Sequence, residues 1–590
     1  MKKYILVLIA LLLVYTRFIG LDWGLPFPMH PDERNMADAV VRLRCDVQLQ
    51  TWTDLRNCFN PQFFAYGQLP LYMALIVIKV WQLVASLFSQ KIIINFSIAS
   101  LGLRIVSASL SVCLSYAMWQ LYLFLKEKIP ETKGLLNFSY IWFDFIALIL
   151  IVFQPYLIQY SHYGTTETLL MLLFVLIVYF SLRYIDAPSW NWIARSGCVA
   201  GIAVAAKISA LIYGAIPLFA LLYCVCKSEH FPSVKKKISA ILRHSFTFVV
   251  VFMPTYILSS PHNILSWKDF VSSMHYEIPV GNGTLLVFYT RQFIDTIPYL
   301  FQFTHIFPYA LGLPVFILFV MSFLILPWKN QYVTLLRFSW LVYFIVTGSL
   351  FIKWSRFMAP IMPLMTIMAL VGLLYVCRNI NFQKKIVRLC LMIVGLLMVI
   401  PGYAYLAIYT HTDVRFTASH VIATRIPAGS YIFEEAGNSI NIPVPPPDTP
   451  ILIPFYTFNA VDLYEMTKES DLQKIQRTLD QADTLIIPSR RIFASRTCLR
   501  PSDVGMNLSD HLLNQNCEKL TNMYPYHQEY YKQIFGEKSE FIQTARVSSF
   551  PRIEFFGKIL LEFPDEFAEE TWTVFDHPVI RIYERVNPLN

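Results

Sequence analysis

The feature that most constrains this chain is a series of long apolar runs separated by short polar loops. Runs of roughly 20 apolar residues recur through residues 1–410, and a run of that length is what an α-helix needs to cross a bilayer. The chain is 56% hydrophobic and only 15% charged, whereas about a quarter of the residues in a typical soluble domain are charged. These patterns predict a polytopic α-helical membrane protein, so the net charge of +9 does not indicate a nucleic-acid partner.

The apolar runs divide into about eleven predicted transmembrane helices. A further stretch, residues 69–89, is interrupted by Lys79, and we predict that it lies at the membrane interface or dips into it. The first run begins like a signal peptide, but bulky residues follow it, so we expect it to be retained. The predicted spans cover residues 4–20, 101–125, 139–158, 165–183, 191–206, 208–226, 245–259, 304–327, 332–351, 358–377 and 388–409.

The distribution of positive charge predicts the orientation. Cytoplasmic loops of membrane proteins are enriched in Lys and Arg, and here every second loop is basic. A cytoplasmic N-terminus and an odd number of spans fit this alternation, so we expect residues 411–590 to lie outside the cell membrane. The basic loops contain Lys2, Lys3, Lys126, Lys128, Lys133, Arg183, Arg195, Lys227, Lys235, Lys236, Lys237, Arg243, Lys329, Arg337, Arg378, Lys384, Lys385 and Arg388.

With that orientation, polar groups from separate segments meet at the outer face of the membrane. Charged residues near a bilayer usually face an interior cavity or a partner, although a single Arg or Lys at a helix end can simply extend to the interface. Because several such segments coincide, we predict a shared site. They are the loop 21–68 with "HPDE" at 30–33, Arg104, "SHYGTTE" at 161–167, Lys207, "SSPHN" at 259–263 and "KWSR" at 353–356.

The cysteines follow the same division of the chain. Six of the ten lie in or beside predicted spans, where cysteine serves as a small apolar residue. The other four, Cys45, Cys58, Cys498 and Cys517, fall in regions predicted to lie outside. We predict that Cys45 pairs with Cys58 and Cys498 with Cys517, which indicates an oxidising compartment.

Residues 411–590 have a different composition, with more charges and shorter apolar runs. This length is enough for a separate hydrophobic core, and the pattern predicts an α/β domain that serves as a lid or an acceptor platform. His577 in this region is expected to be structural rather than catalytic. The predicted strands are "GSYIFEE", "DTLIIP", "RIEFFGKILLEF" and "VIRIYER", and the predicted amphipathic helix is "ESDLQKIQRTLDQA".

An acid beside basic residues at a membrane face suggests one kind of chemistry. Arg offers a planar set of donors and Lys a point charge, and both bind a phosphate or pyrophosphate. A carboxylate can act as a general base, taking a proton from an acceptor hydroxyl or amine as that group attacks the anomeric carbon of a sugar. The lipid phosphate then leaves, and its polyprenyl tail stays in the bilayer.

The chain resembles the polyprenyl-phosphate-dependent glycosyltransferases of the GT-C fold, in particular relatives of protein O-mannosyltransferases and of the lipid A aminoarabinose transferase. The resemblance covers nearly the whole chain in a preserved order of motifs. It implies a transmembrane GT-C module in residues 1–410, with interfacial helices in a first extracytoplasmic loop at 21–100, and an extracytoplasmic α/β domain at 411–590. The motifs are "HPDERNMADAVVRL", "NPQFFAYGQLPLY", "LRIVSASLSV", "SHYGTTETLL", "AVAAKISALIYGAIPLF", "SSPHNIL", "WSRFMAPIMPLM", "DVRFTASHVIATRIPAGSYIFEE" and "TVFDHPVIRIYER".

The same resemblance implies the roles of the first acidic pair. It identifies Asp32 as the catalytic base, with Glu33 supporting it or contacting the acceptor. The alternative is that His30-Pro31-Asp32-Glu33 only begins a helix, since Pro suits the first turn and acids suit the positive end. The two explanations are compatible, because a helix start can position an acid.

Further residues are assigned by their match to the family motifs. Lys207 and Arg356 are expected near the donor phosphate, with Arg104 as a weaker third contact. His162 stands where Arg is common, which weakens phosphate binding at neutral pH, and Glu167 orients the acceptor or an ion, or caps a helix.

The remaining pocket residues are less strongly determined by the motifs. Gln68 replaces a lysine common in relatives, so the phosphate contact shifts to Lys207 and Arg356. Tyr66 is expected to line the pocket, and His262 is either a polar lining residue or a buried structural histidine. The resemblance implies no metal cofactor; the alternative is a divalent ion held by His30 with Asp32, Glu33 or Glu167.

Two other functions remain open at this stage. A transporter or flippase could use the same acids and cations to gate a polar substrate, but transporters often show internal repeats and broken helices near the bilayer centre. A non-catalytic relative would only bind the lipid carrier. We therefore expect a glycosyltransferase with a lipid-phosphate sugar donor and a protein, lipid or glycan acceptor, and the sequence does not distinguish among these acceptors.

Overall fold

The computed structural model places most of the chain and divides it into two compact units. The first unit comprises Met1–Leu21, Asp32–Ile278 and Pro298–Leu406, and the second comprises Asp22–Pro31, Pro279–Ile297 and Ala407–Asn590. The sequence had placed one boundary at residue 410; the second unit also takes in two short segments from the first half of the chain. The residues described are 2–43, 51–129, 137–227, 233–378, 385–436, 441–447, 456–464, 466–497, 499, 518–536 and 538–586.

The described part of the first unit is helical. Its helices in chain order are α1 Lys2–Phe18, α2 Pro31–Arg42, α3 Trp52–Cys58, α4 Leu69–Ser86, α5 Phe96–Lys128, α6 Asn137–Val152, α7 Pro155–His162, α8 Glu167–Asp186, α9 Trp190–Ala206, α10 Ala215–Lys227, α11 Val234–Ser259, α12 His262–Leu265, α13 Trp267–Asn282, α14 Leu300–His305, α15 Phe307–Ala310, α16 Leu313–Ile325, α17 Gln331–Gly348, α18 Ser355–Met358, α19 Met362–Cys377 and α20 Lys385–Tyr405. Helix α2 begins one residue before the second segment of this unit, and α13 ends beyond it. Two 3₁₀ turns, Ile208–Gly214 and Ala359–Ile361, precede α10 and α19.

Eight helical stretches among the described residues are long and apolar enough to cross a membrane, so the chain is a multi-pass membrane protein. They are Leu69–Ser86, Phe96–Lys128, Phe143–His162, Glu167–Asp186, Ile208–Lys227, Val234–Ser259, Ser355–Cys377 and Arg388–Thr410, and shorter apolar helices run over Tyr4–Phe18 and Leu313–Ile325. Seven of the eleven predicted spans coincide with these stretches, and the predicted spans 4–20 and 304–327 contain the two shorter helices. The predicted spans 191–206 and 332–351 lie on α9 and α17, which are not among the eight stretches. Leu69–Ser86, which we predicted to lie at the interface, meets the same criteria of length and composition.

Polar side chains and buried cations define the ends of these helices. The side chain of Asn95 accepts a hydrogen bond from the Ile98 amide and begins α5, as expected for an N-cap residue. Arg17, fully buried, donates to the carbonyls of Ile151 and Val152 at the end of α6. Carbonyls at a helix end have no partner within the helix, so Arg17 supplies one from α1.

Glycine allows two pairs of membrane helices to pack closely. A Cβ at Gly201 of α9 would overlap Thr255 of α11, and one at Gly372 of α19 would overlap Ser322 of α16. Helices in a bilayer associate largely through close packing, and small residues at the crossing permit it. The close packing of these two helix pairs therefore depends on glycine at the crossing.

The second unit is built on a five-stranded sheet with the order β2-β1-β3-β7-β4. Strands β1, β2 and β3 are parallel, and β7 runs antiparallel to both β3 and β4. A separate hairpin pairs β5 with β6. The elements are α21 Ala407–Thr410, α22 Val414–Arg425, β1 Tyr431–Ala436, β2 Thr457–Asp462, α23 Glu469–Asp480, β3 Thr484–Ile487, α24 Phe493–Arg496, α25 Pro525–Phe535, β4 Phe541–Val547, β5 Arg552–Phe555, β6 Lys558–Glu562, α26 Glu570–Thr573 and β7 Ile580–Arg585, with a 3₁₀ turn at Phe288–Phe293.

Alternation along the strands places apolar residues on both faces of this sheet. Phe433 and Leu485 lie in one core with Leu472 of α23, while Ile432 and Ile486 lie in another with residues of α22. Successive side chains of a strand point to opposite faces, so each central strand contributes to both cores. The predicted fold class, a polytopic helical membrane protein with a C-terminal α/β domain, is confirmed.

The buried charges of this unit are satisfied within it. His577 lies between two carboxylates, with its Nδ1 2.5 Å from Asp576 and its Nε2 3.0 Å from Asp565. Burial alone would lower the pKa of His577, but the charges of the two carboxylates and their hydrogen bonds outweigh it and raise the pKa to about 10. The His577 imidazolium therefore bridges the carboxylates of Asp565 and Asp576. Its role in this unit is structural.

The raised pKa of Glu435, near the end of β1, leads to a prediction of how the stability of this unit depends on pH. Burial raises the pKa of Glu435 to about 8, although the hydroxyls of Tyr530 and Tyr531 donate to its two oxygens at 3.2 and 2.9 Å. Because the folded pKa lies above the ordinary value of 4.5, the stability linked to the protonated acid is full below about pH 4.5 and is lost as the pH rises through 8.

We therefore expect Glu435→Gln, which stays neutral, to raise the melting temperature at pH 9 by at least about 2–4 °C, with little effect at pH 5. Thermal unfolding of the purified chain at both pH values measures this difference. Glu529→Gln, which changes an exposed acid of α25, is the matched control and should show no such dependence. An equal effect of Glu435→Gln at both pH values would contradict the prediction.

Candidate functional site

The first turn of α2 carries the two acids of the "HPDE" motif. Pro31 is the first residue of the helix, and Asp32 and Glu33 lie at its positive end, a local arrangement that favours both residue types. Neighbouring residues of an α-helix point about 100° apart, since a turn takes 3.6 residues. The two carboxylates therefore have different surroundings and different partners.

Glu33 forms a buried ion pair with Arg104 of α5. The Arg104 Nε lies 3.1 and 3.0 Å from the two carboxylate oxygens, and Nη2 lies 2.7 Å from Oε1. The side chains are 2% and 0% exposed. Hydrogen bonds between an Arg fork and a carboxylate are among the strong ones, so this pair holds α2 against α5.

The same pair also joins two other segments of the first unit. The amide of Gly164 donates to Glu33 Oε2 at 2.7 Å, and Arg104 Nη1 donates to the carbonyl of Leu21 at 2.7 Å. A Cβ on Gly164 would lie 2.7 Å from Leu103 and 3.1 Å from Glu33, so glycine is needed for this approach. Arg104, predicted as a weak phosphate contact, and Glu33, predicted beside the base, are here partners of each other.

Asp32 has a more open environment and a different partner. Its carboxylate pairs with Arg356, which follows Ser355 in the short helix α18. The side chains of Asp32 and Arg356 are 21% and 14% exposed, which leaves both reachable by a small group. The Arg356 guanidinium also lies 4.1 Å from the centre of the Trp354 ring, a contact that favours a cation over an aromatic face.

Lys207 approaches Arg356 through a shared aromatic residue. Its Nζ lies 4.4 Å from the centre of the Phe357 ring, and the Arg356 guanidinium lies 5.9 Å from the same ring. The ring of Tyr66 is 5.5 Å from Lys207 on another side. The structure thus brings together Asp32, Arg356, Lys207 and Tyr66, which the sequence had predicted from four distant segments.

A network of polar groups holds the backbone next to Lys207. The Gly67 amide donates to the carbonyl of Ala206 at 2.8 Å, and the Ser260 hydroxyl donates to the carbonyl of Ala205 at 3.0 Å. Gly67 is required here because a Cβ would overlap the Ala205 carbonyl oxygen. Lys207 directly follows Ala206, the last residue of α9. These hydrogen bonds therefore hold the end of α9 and the backbone position of Lys207.

Gln68 and His262 belong to the same network. The Gln68 amide donates to the Ser260 hydroxyl at 2.9 Å, its side-chain oxygen accepts from the His262 amide at 2.9 Å, and its side-chain nitrogen donates to Asn263 at 3.2 Å. Ser266 lies 3.2 Å from Nδ1 of His262. Gln68, found where relatives often have lysine, thus connects the start of α4 to the "SSPHN" segment.

His162 and Glu167 lie deeper in the helical unit. The two ring nitrogens of His162 lie 2.7 Å from the carbonyl of Ile158 and 2.6 Å from that of Ile19. Glu167 is the buried first residue of α8 and interacts electrostatically with Lys207. His162 therefore ties α7 to the end of α1, and Glu167 is one of two acids, with Glu277, that interact with the charge of Lys207.

His30 belongs to the second unit, where its ring lies 4.2 Å from that of Phe575. Within the described residues, no group of three or more His, Cys, Asp or Glu side chains is placed to hold a metal ion. The predicted lack of a cofactor stays a prediction.

Six cysteines, Cys113, Cys198, Cys224, Cys226, Cys377 and Cys390, are free thiols. They are the six that the sequence placed in or beside spans. Cys58 is in a disulfide, while Cys45, Cys498 and Cys517 lie outside the described residues. The pairings of Cys58 with Cys45 and of Cys498 with Cys517 therefore stay predictions.

Two aromatic residues of the site were not singled out from the sequence. Trp354 and Phe357 flank Arg356, and their rings contact the cations. Trp354 is the N-cap residue of α18 and Phe357 lies within α18, so the signal available in the sequence was two aromatic residues within two positions of Arg356. Aromatic residues are so common in this chain that the pattern did not stand out.

No protein-family model and no curated protein matches the chain. Solved structures that it resembles include the archaeal oligosaccharyltransferase AglB from Archaeoglobus fulgidus in complex with an inhibitory peptide and a dolichol-phosphate. The identity is 11% over 84% of this chain and 71% of that chain, with a TM-score of 0.45. ArnT from Cupriavidus metallidurans in the apo state is 11% identical over 85% of this chain and 95% of that chain, with a TM-score of 0.45.

The S. cerevisiae protein O-mannosyltransferase Pmt1-Pmt2 complex bound to the sugar donor is also similar. The identity is 14% over 46% of this chain, with a TM-score of 0.31, and this chain spans 34% of that chain. All three of these similarities are at 11–14% identity, with TM-scores of 0.31 to 0.45. The roles of individual residues rest on the contacts within this chain.

The Glu33–Arg104 pair predicts a large effect on stability. Removing one partner of a buried ion pair leaves the other charge uncompensated and typically costs about 3–5 kcal/mol. We expect Arg104→Ala to lower the free energy of unfolding by that amount, measured by denaturant or thermal unfolding of the purified chain. Lys519→Ala, which breaks the exposed pair with Asp295, is the control and should cost about 1 kcal/mol or less. Similar losses of unfolding free energy for both variants would show that the buried Glu33–Arg104 pair stabilises the protein no more than an exposed pair does.

Proposed function

We propose that this protein is a membrane glycosyltransferase that moves a sugar from a polyprenyl-phosphate donor to an acceptor. The observation that supports this most is the contrast between the two adjacent acids. Glu33 is buried and fully engaged by Arg104, whereas Asp32 is partly exposed and faces Arg356. One reachable acid beside two cations, Arg356 and Lys207, is what a base and a phosphate site require.

In the proposed reaction, Asp32 is the general base. The acceptor hydroxyl or amine gives its proton to the Asp32 carboxylate while its oxygen or nitrogen attacks the anomeric carbon of the donor. The bond between that carbon and the phosphate oxygen breaks, and its electron pair stays on the phosphate. The polyprenyl phosphate leaves, held by Lys207 and Arg356, and Glu33 with Arg104 serves to position the helix that presents Asp32.

Arg356 has two proposed partners in this cycle. Without donor it pairs with Asp32, and an arginine on a carboxylate occupies the lone pairs that a base must use. A donor phosphate offers oxygens that suit the same guanidinium fork. When the phosphate takes up Arg356, the Asp32 carboxylate becomes available to the acceptor, so donor binding and activation of the base are coupled.

We propose that the site and the second unit lie on the extracytoplasmic face. A compact unit lies on one side of a membrane, so an even number of crossings must separate residues 31 and 279, and also residues 297 and 407. The eleven spans predicted from the apolar runs satisfy both conditions, with six and four crossings between those positions, when residues 69–89 lie at the interface and do not cross. The disulfide at Cys58 further supports an oxidising compartment for the first loop.

Substitution of the base tests the proposed reaction. Asp32→Asn keeps the size of the side chain but cannot accept the proton, so transfer should fall by about 10²–10⁴-fold. The measurement is transfer of labelled sugar from a polyprenyl-phosphate donor to membrane acceptors, with unfolding temperature as the check on folding. Asp38→Asn alters an exposed acid of the same helix and should keep full activity. Undiminished transfer by Asp32→Asn would exclude Asp32 as the base.

The two cations are tested by donor binding rather than by turnover. Hydrogen bonds to charged groups contribute about 1.5–3 kcal/mol each, so Lys207→Ala and Arg356→Ala should each weaken donor binding by about 10- to 100-fold. Titration of the purified protein with a polyprenyl phosphate gives the dissociation constants. Lys227→Ala, at the far end of the span that follows Lys207, is the control cation. Unchanged binding in both site variants would refute the phosphate assignment.

A further inference from the structure

The hairpin formed by β5 and β6 presents an apolar surface that the rest of the second unit does not cover. Every residue from Phe555 to Glu562 is exposed, and Phe556 at the turn is 91% exposed. Phe555, Ile559, Leu560 and Leu561 are between 44% and 65% exposed. The sequence predicted one continuous strand here; the chain instead folds back at Phe556-Gly557.

The turn of this hairpin contains a residue that is unfavourable for its conformation. Phe556 and Gly557 both have positive φ, +48° and +73°, as in the two-residue turn for which Asn-Gly is strongly preferred. A bulky residue in the left-handed region costs on the order of 1 kcal/mol or more. The sequence thus places a large aromatic ring at the tip although a polar residue would fit the backbone better.

The base of the hairpin is fixed next to the end of a membrane helix. His411 Nε2 lies 3.0 Å from Glu554 of β5, and His411 directly follows the candidate span Arg388–Thr410. The residue after a span lies at the surface of the bilayer. Since a strand rises about 3.3 Å per residue, Phe556 lies about 7 Å along the strand from Glu554.

We propose that the β5–β6 hairpin inserts its tip into the interfacial layer of the lipid bilayer. Phe and Leu side chains of interfacial segments lie at the boundary between headgroups and acyl chains, and Lys558 beside the tip can extend its amine to the phosphates. The charged groups at the base, Arg552, Glu554 and His411, pair with one another and stay outside the apolar surface. An isolated two-stranded hairpin is marginal in water, so contact with lipid stabilises it.

A photo-crosslinking probe at the tip tests this directly. p-Benzoylphenylalanine replaces Phe556 in the full chain, which is placed in nanodiscs of phosphatidylcholine and phosphatidylglycerol and irradiated. Mass spectrometry should find phospholipid adducts at position 556 several-fold more often than with the probe at Ile542, an exposed residue of strand β4. Equal lipid labelling at both positions, or crosslinks to a second copy of the chain in place of lipid, would overturn the proposal.

A second variant separates lipid contact from folding of the hairpin. Phe556→Asn restores the preferred Asn-Gly turn, so the hairpin should fold at least as well while losing its aromatic tip. With the probe moved to Leu560, we expect lipid adducts to fall several-fold in the Phe556→Asn background. The unfolding temperature in detergent should not decrease. Lipid labelling at Leu560 that is unchanged by Phe556→Asn would show that the tip does not anchor the hairpin in the bilayer.

Discussion

The buried pair between Glu33 and Arg104 is the interaction on which the site depends. Two charges removed from water are tolerated only when they are paired and their remaining hydrogen-bonding groups are satisfied. Here the Gly164 amide donates to Glu33, and Arg104 donates to the Leu21 carbonyl. One ion pair thereby joins the end of the first helical segment, the start of α2, the long helix α5 and the turn before α8, and it fixes the direction in which the adjacent Asp32 points.

This arrangement gives different partners to two adjacent acids, whose roles the sequence distinguished only through the family resemblance. The sequence was sufficient to predict a helical membrane protein with an α/β domain at its end, because apolar run length and strand alternation are local signals. It was also sufficient to group Asp32, Lys207 and Arg356. It could not assign Arg104 to Glu33, because the choice between a ligand phosphate and a protein carboxylate depends on which side chains are buried together. The contacts of Trp354 and Phe357 with the cations were not predicted either, because they too depend on which side chains pack together.

The set of chain segments that form the second unit is another feature that local sequence patterns do not predict. Residues 22–31 and 279–297 are short, and by themselves they look like loops between helices. They belong to the same compact unit as residues 407–590. A boundary drawn from a change in composition, as at residue 410, finds the large continuous segment but cannot find short segments whose contacts are made hundreds of residues away.

The ring shared by Lys207 and Arg356 has a consequence for the charge balance of the proposed reaction. With Asp32 ionised, the three side chains sum to one positive charge, which equals the single negative charge of a phosphodiester donor. After transfer, Asp32 holds a proton and the side chains sum to two positive charges, while the released phosphomonoester carries close to two negative charges near neutral pH. The summed charge of these three side chains and the lipid phosphate therefore stays the same when the sugar moves, because Asp32 takes up the proton.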